Sequence, residues 1–136
     1  MCWYTKNKPV KQEATSPITV YKILDNIGDK IISPLYIRYW TLDKLNQLGD
    51  KIEVTKLYNN IFGIAFGYHS SLTQPTCIVS RYLNYGASVW SNGKTSLMRH
   101  SRNRCVYMCE IPIGAHYYIN ENDEVVSDAL IVRRKM

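Results

Sequence analysis

From Val54 to Cys109 the chain has no Asp or Glu, a run of fifty-six residues that nonetheless carries Lys56, Arg81, Lys94, Arg99, Arg102 and Arg104. The formal net charge of +6 therefore sits in this stretch, because eleven basic and eleven acidic residues balance elsewhere. A region of one sign favours an anionic partner. No apolar run approaches the roughly eighteen residues needed to span a bilayer. The opening Met1-Cys2-Trp3-Tyr4-Thr5-Lys6 lacks the apolar core of a secretory signal. The expected location is thus cytoplasmic, with no membrane partner. Also missing are a P-loop, a Gly-x-Gly-x-x-Gly turn, a Gly-x-Ser-x-Gly elbow and a metal-binding helix motif. No motif fixes a reaction.

Phenylalanine is scarce, with two against eleven Tyr and three Trp. Tyrosines pack well in strands, and they also offer a flat face and a hydroxyl that suit a nucleobase or ribose. Cysteines stand at 2, 77, 105 and 109. Without an export signal, the four read as reduced, structural thiols. Cys105 and Cys109 share one face of an extended strand, where Cys behaves as a small hydrophobe. A zinc site is the minor reading, because His69, His100 and His116 are not closely spaced. No metal or cofactor is expected.

The first sixteen residues are polar and mixed and read as a loosely ordered arm, followed by one domain over 17–136. Strands are expected at Ile18–Leu24, Lys30–Tyr39, Lys51–Tyr58, Ile61–Tyr68, Arg104–Ile113, Ala115–Ile119 and Glu124–Arg134. Thr41 is placed to cap a short helix over Leu42–Leu48. A second helix is expected over Leu72–Tyr85, begun near Pro75, with Ile78, Val79, Tyr82 and Leu83 on one stripe. The predicted class is α+β: a single domain built on a mostly antiparallel sheet of about six short strands, with one or two helices.

Cys2-Trp3-Tyr4-Thr5 with Ile18-Thr19-Val20-Tyr21-Lys22, then Gly67-Tyr68-His69-Ser70, then the run Val106 to Ile119 together resemble a group of small proteins encoded by gut Bacteroidales and their phages. That group usually has Lys where Ile113 stands here. A fainter resemblance is to the ADP-ribosyltransferase superfamily. Tyr21-Lys22, His69-Ser70-Ser71 and Ser127 to Val132 fall in the order of its three strand motifs. The catalytic Glu of that superfamily has no counterpart ahead of Leu130-Ile131-Val132. The resemblance therefore implies binding without turnover.

Among individual residues, His69-Ser70-Ser71 precedes a predicted helix, where hydroxyls and N–H groups hold phosphate or simply cap the helix. Arg99, Arg102 and Arg104, with His100 between them, offer bidentate phosphate donors or a solvated basic loop. Arg81 joins this set, and Tyr82 is a stacking candidate. With Lys22, these residues form the expected ligand site. The functional expectation is a small phage-type protein that sequesters a host immune second messenger, a cyclic ADP-ribose-type molecule or cyclic dinucleotide, without turnover. A homo-oligomer is expected. The competing readings are a basic RNA- or DNA-binding protein, a metal-free ribonuclease that uses two histidines, and an ADP-ribosyltransferase-like enzyme.

Overall fold

The computed structural model describes residues 3–33, 38–49, 51–57, 60–79, 85–90, 95–99 and 104–136, with the backbone alone described for 75–79, 85–90 and 95–99. In chain order the strands are β1 (Trp3–Thr5), β2 (Gln12–Glu13), β3 (Ile18–Ile27), β4 (Lys30–Ile32), β5 (Tyr39–Trp40), β6 (Leu45–Gln47), β7 (Thr55–Lys56) and β8 (Phe62–Ile64). They continue as β9 (Tyr68–Ser71), β10 (Pro75–Val79), β11 (Tyr85–Trp90), β12 (Thr95–Arg99), β13 (Arg104–Ile111), β14 (His116–Ile119), β15 (Glu124–Ser127) and β16 (Ala129–Lys135). The largest sheet has the order β2-β14-β15-β9-β3-β13-β16-β6, with β4 and β5 extending from β3. Two three-stranded sheets, β1-β8-β7 and β10-β11-β12, complete the architecture.

The expected α+β class is corrected by this architecture. No helix occurs among the described residues, and sixteen strands stand where about six were predicted. Over Leu42–Leu48 the chain makes a turn with Asp43 at φ 61°, then enters β6. Tertiary pairing decides the outcome there. Asp43 N–H donates to Val132 O, Asn46 Nδ2 donates to Leu130 O, and Leu48 N–H donates to Asp128 O. In the second segment, Pro75–Val79 is β10 and pairs with β11. Its Thr, Ile and Val are β-branched and stiff at χ1, which suits a pleated strand better than a helix. The apolar spacing was too short to tell the two periods apart.

The longest ladder joins β3 to β13, from Arg104 opposite Asp25 to Ile111 opposite Ile18. Period-two alternation puts Val20, Lys22 and Leu24 on one face, opposite Cys109, Tyr107 and Cys105. Val20 and Leu24 are fully buried there, with Tyr107 and Cys109. This face packs against Trp40, Tyr68, Val125, Leu130 and Val132 to form the main core. Trimming a fully buried leucine such as Leu24 to Ala would cost about 2–5 kcal/mol, the transfer and cavity terms together.

A second, smaller core lies on the other face, where Trp3, Ile52, Ile64, Tyr118 and Val126 meet. Trp3 anchors the N-terminal segment: its Nε1 donates to Glu124 O at 2.8 Å, and its ring tilts against Tyr118 at 6.3 Å. Gly67, at φ 150°, passes so close to Val126 that a Cβ would collide with that side chain. Both the dihedral and the space require glycine there.

Asp128 is the corner of the largest sheet. Its N–H donates to His116 O, continuing the β14–β15 ladder, and its carbonyl accepts from Leu48, continuing the β16–β6 ladder. β15 and β16 therefore act as one long strand that changes neighbours at Asp128.

Candidate functional site

Lys22 is the anomaly of the main core. It is a lysine in a stripe of fully buried apolar residues, half-buried itself, and held there because β3 is locked by β13 on one side and β9 on the other. Its ammonium donates to the backbone carbonyl of His69. Burial pulls its pKa from 10.5 to about 8; the Cys109 thiol opposes this shift, and the nearby Arg38 guanidinium adds to it. Reciprocally, burial pushes the Cys109 thiol up to about 12.

Arg38 shares the site from solvent. It is exposed, and its guanidinium lies 4.6 Å from the Trp40 ring centre and 4.9 Å from that of Tyr68. One of its nitrogens donates to the Tyr68 hydroxyl at 3.1 Å. The Lys22 ammonium lies 5.6 Å from the same Trp40 ring. Trp40 and Tyr68 meet edge-on at 5.8 Å, and Trp40 Nε1 donates to Ser33 Oγ at 2.7 Å. The rings are buried beside the two cations, so they stabilise positive charge and offer no free face for a base.

Ser70 completes the group. Tyr21 pairs with Ser71, which puts Ser70 across the ladder from Lys22 on the main-core face. Its hydroxyl is buried without a hydrogen-bond partner among the described residues. A buried hydroxyl left unpaired costs free energy. Neither Lys22 nor Arg38 has a carboxylate within ion-pair distance among the described residues. Two cations therefore lie close together, with an unsatisfied hydroxyl on the strand across from Lys22 and no compensating carboxylate among the described residues.

The other expected site residues lie elsewhere. His69 belongs to β9, and its ring sits on the face opposite Ser70, with Nε2 3.4 Å from Ala65 O. Burial, aided by the Lys22 charge, holds its pKa down at about 4, so it is neutral at pH 7. Only its carbonyl reaches the cation site. Ser71 is spent on a turn: its Oγ lies 3.0 Å from Thr73 Oγ1 and accepts from Thr73 N–H at 3.2 Å. The segment is a strand leading to β10, so the predicted helix N-terminus does not form. Arg104 begins β13 with its guanidinium buried 3.5 Å from Asp25, its register partner. Arg99 ends β12, paired with Tyr85. Arg81, Tyr82, His100 and Arg102 lie outside the described residues.

Arg38, Trp40 and Tyr68 went unnoticed as site residues in the sequence. Arg38 falls in the part of the chain where acids balance bases, so the charge distribution does not mark it. The signal present was local: a cation two residues before a tryptophan, at the spacing that puts both on one face of an extended segment.

A second polar group lines an open groove of about 410 Å³ beside Leu45, Gln47 and Ile113. Asp128 accepts from His116 N–H at 2.9 Å, and its second oxygen lies 3.2 Å from His116 Nδ1. This orients the imidazole as a carboxylate does in a catalytic triad. Among the described residues lining the groove there is no Ser, Thr, Cys or Lys to serve as nucleophile. The pair holds the sheet corner. Among the described residues no group of His, Cys, Asp and Glu is arranged to hold a metal ion, and no helix is long and apolar enough to cross a membrane.

Comparison with family models, with curated proteins and with solved structures finds no match to this chain.

Proposed function

We propose that the protein binds a small phosphate-bearing ligand, a nucleotide, through Lys22 and Arg38, and does so without turnover. The observation that carries this reading is the pairing of two cations over Trp40 with no carboxylate in reach among the described residues. A phosphate entering there meets Arg38 first, at the surface, and then the Lys22 ammonium and the Ser70 hydroxyl. Charge-assisted hydrogen bonds of this kind are about twice as strong as neutral ones. The ligand also relieves the repulsion between the two cations, a gain that a fully compensated site would lack. Selectivity for a compact ligand over a polymer follows from the mixture of an exposed and a half-buried cation, which suits one anionic group better than a line of them.

Sequestration of a host signalling nucleotide, cyclic ADP-ribose-type or cyclic dinucleotide, is the role to which the sequence resemblance to phage-encoded proteins points. It requires tight binding and recovery of the ligand intact. Calorimetric titration with a panel of mononucleotides, cyclic dinucleotides and cyclic ADP-ribose-type molecules tests the binding. Chromatography of the released ligand tests the absence of turnover. Micromolar or tighter affinity for one member, with the ligand recovered unchanged, is the expected result. Failure of every member to bind sinks the reading. Binding that grows with RNA or DNA length and falls steeply with salt points to a nucleic-acid protein instead.

A further inference from the structure

We propose that Lys22 is a reactive amine, which forms an imine with a small carbonyl ligand whose anionic group Arg38 holds. The proposal rests on the anion-binding reading only for the role of Arg38. Its geometric basis is the placement of an amine between the fully buried Val20 and Leu24, beside a surface guanidinium and without a carboxylate among the described residues to pin it as an ammonium. The groups around Lys22 are the Arg38 guanidinium, the Cys109 thiol, the Trp40 ring, the His69 imidazole that its charge reaches, and the His69 carbonyl that accepts its hydrogen bond. None is an anion at neutral pH.

With its pKa brought to about 8, Lys22 is neutral in about a tenth of molecules at pH 7. An ordinary lysine is neutral in roughly one of three thousand. Desolvation beside another cation is the established way to make a lysine nucleophilic. In the step itself, the unprotonated Nζ attacks the carbonyl carbon and a C–N bond forms. The nitrogen gives up its two protons to the carbonyl oxygen, the C–O bond breaks and the oxygen leaves as water, giving the imine with no change of oxidation state. The Ser70 hydroxyl, buried and unpartnered on the strand across from Lys22, is the group we assign to relay a proton to the departing oxygen. Once protonated, the imine restores a positive charge beside the ligand's anionic group.

The probe is pyridoxal 5′-phosphate, an aldehyde with a phosphate, compared with pyridoxal, which lacks the phosphate. Each is incubated with the folded protein and reduced with borohydride, and the adducts are mapped by peptide mass spectrometry. The expected result is one dominant adduct on Lys22, formed at least tenfold faster with the phosphate than without it. Its rate should rise with a midpoint near pH 8, and Arg38→Gln should remove the advantage of the phosphate. Adducts spread over exposed lysines such as Lys30, Lys44 and Lys56, with Lys22 no faster than they are, overturn the proposal. So does a Lys22 labelling rate that is indifferent to the phosphate. The decisive readout uses the unaltered protein, so a poorly folding variant does not blunt it. Lys22→Arg separates the two readings: it keeps a cation for nucleotide binding and abolishes the adduct. A protein that labels at Lys22 but binds no nucleotide loses the proposed function and keeps this chemistry, and the reverse result does the opposite.

Discussion

Arg133 on β16 and the Lys22–Arg38 pair are both cations on the same sheet, yet their surroundings differ in one respect. Arg133 reaches two carboxylates, Glu110 at 2.8 Å and Asp43 at 3.0 Å, and those hydrogen bonds raise its pKa. Lys22 and Arg38 reach a carbonyl, two aromatic rings, the Tyr68 hydroxyl and the Asn46 amide oxygen, all neutral, and they repel each other. A cation held by carboxylates ties β16 to the Asp43 turn and has no capacity to spare. One left among neutral groups is a cost to the fold that an incoming anion removes. The distribution of partners, more than the count of charges, separates structural cations from candidate binding ones.

That contrast breaks most visibly at Lys22. Replacing it with Met removes an uncompensated, desolvated charge from an apolar stripe and should raise stability by about 1–3 kcal/mol. It should also weaken nucleotide binding by more than about fiftyfold, as phosphate contacts to a charged donor are lost. Urea unfolding and calorimetry on the same sample read both effects. A variant that is both less stable and unimpaired in binding would show that Lys22 is a structural group like Arg133.

The pH dependence should be next in size, and it has two opposite signs. Lys22 has a folded pKa of about 8, below its unfolded 10.5, so between those values the unfolded chain holds more protons. Stability should therefore rise from pH 8 to pH 10.5 while ligand affinity falls as the ammonium is lost. His69, held at about 4 against 6.5, acts lower on the scale. Stability should drop by about 2 kcal/mol as pH falls from 6.5 towards 4. Unfolding midpoints across pH check both: Lys22→Met should erase the alkaline change and shrink, without abolishing, the acid one, because the Lys22 charge adds to burial in holding the His69 pKa down.

Arg38→Gln should lower affinity by roughly tenfold, with a stability change below about 1 kcal/mol, since its cation–π contacts are made from the surface. Arg133→Gln should have the smallest effect on binding, none within error. Its modest stability loss should fade in high salt, because exposed pairs are screened. A binding defect in Arg133→Gln larger than that in Arg38→Gln would reverse the assignment of roles.

Parts of the fold were legible in the chain. Ile18–Leu24, rich in β-branched residues, and Arg104–Ile113, whose buried Tyr107, Cys109 and Ile111 alternate, appear as β3 and β13. The two predicted helices failed for a shared reason. Leu42–Leu48 and Leu72–Tyr85 are short apolar patterns, and their state was decided by strand pairing, with the distant β16 for the first and with the next strand, β11, for the start of the second. Lys22 and Ser70, both ligand candidates from the sequence, stand across from each other. His69 and Ser71 were picked with them, but alternation along β9 turns both away from the Lys22 face. Arg104, expected at a phosphate, faces Asp25, a partner seventy-nine positions away that only the β3–β13 register supplies.

The sequence by itself determined the cationic excess, the β-branched and tyrosine-rich segments, and the alternation that marks the main strands. These are local properties, readable from side-chain chemistry and a period of two. Only the tertiary structure decided which cations lack carboxylates. Arg133 lies twenty-three residues from Glu110 and ninety from Asp43, while Lys22 meets His69 across forty-seven. Ion pairing falls off within a few ångströms, so its presence or absence depends on which distant strands the register brings side by side.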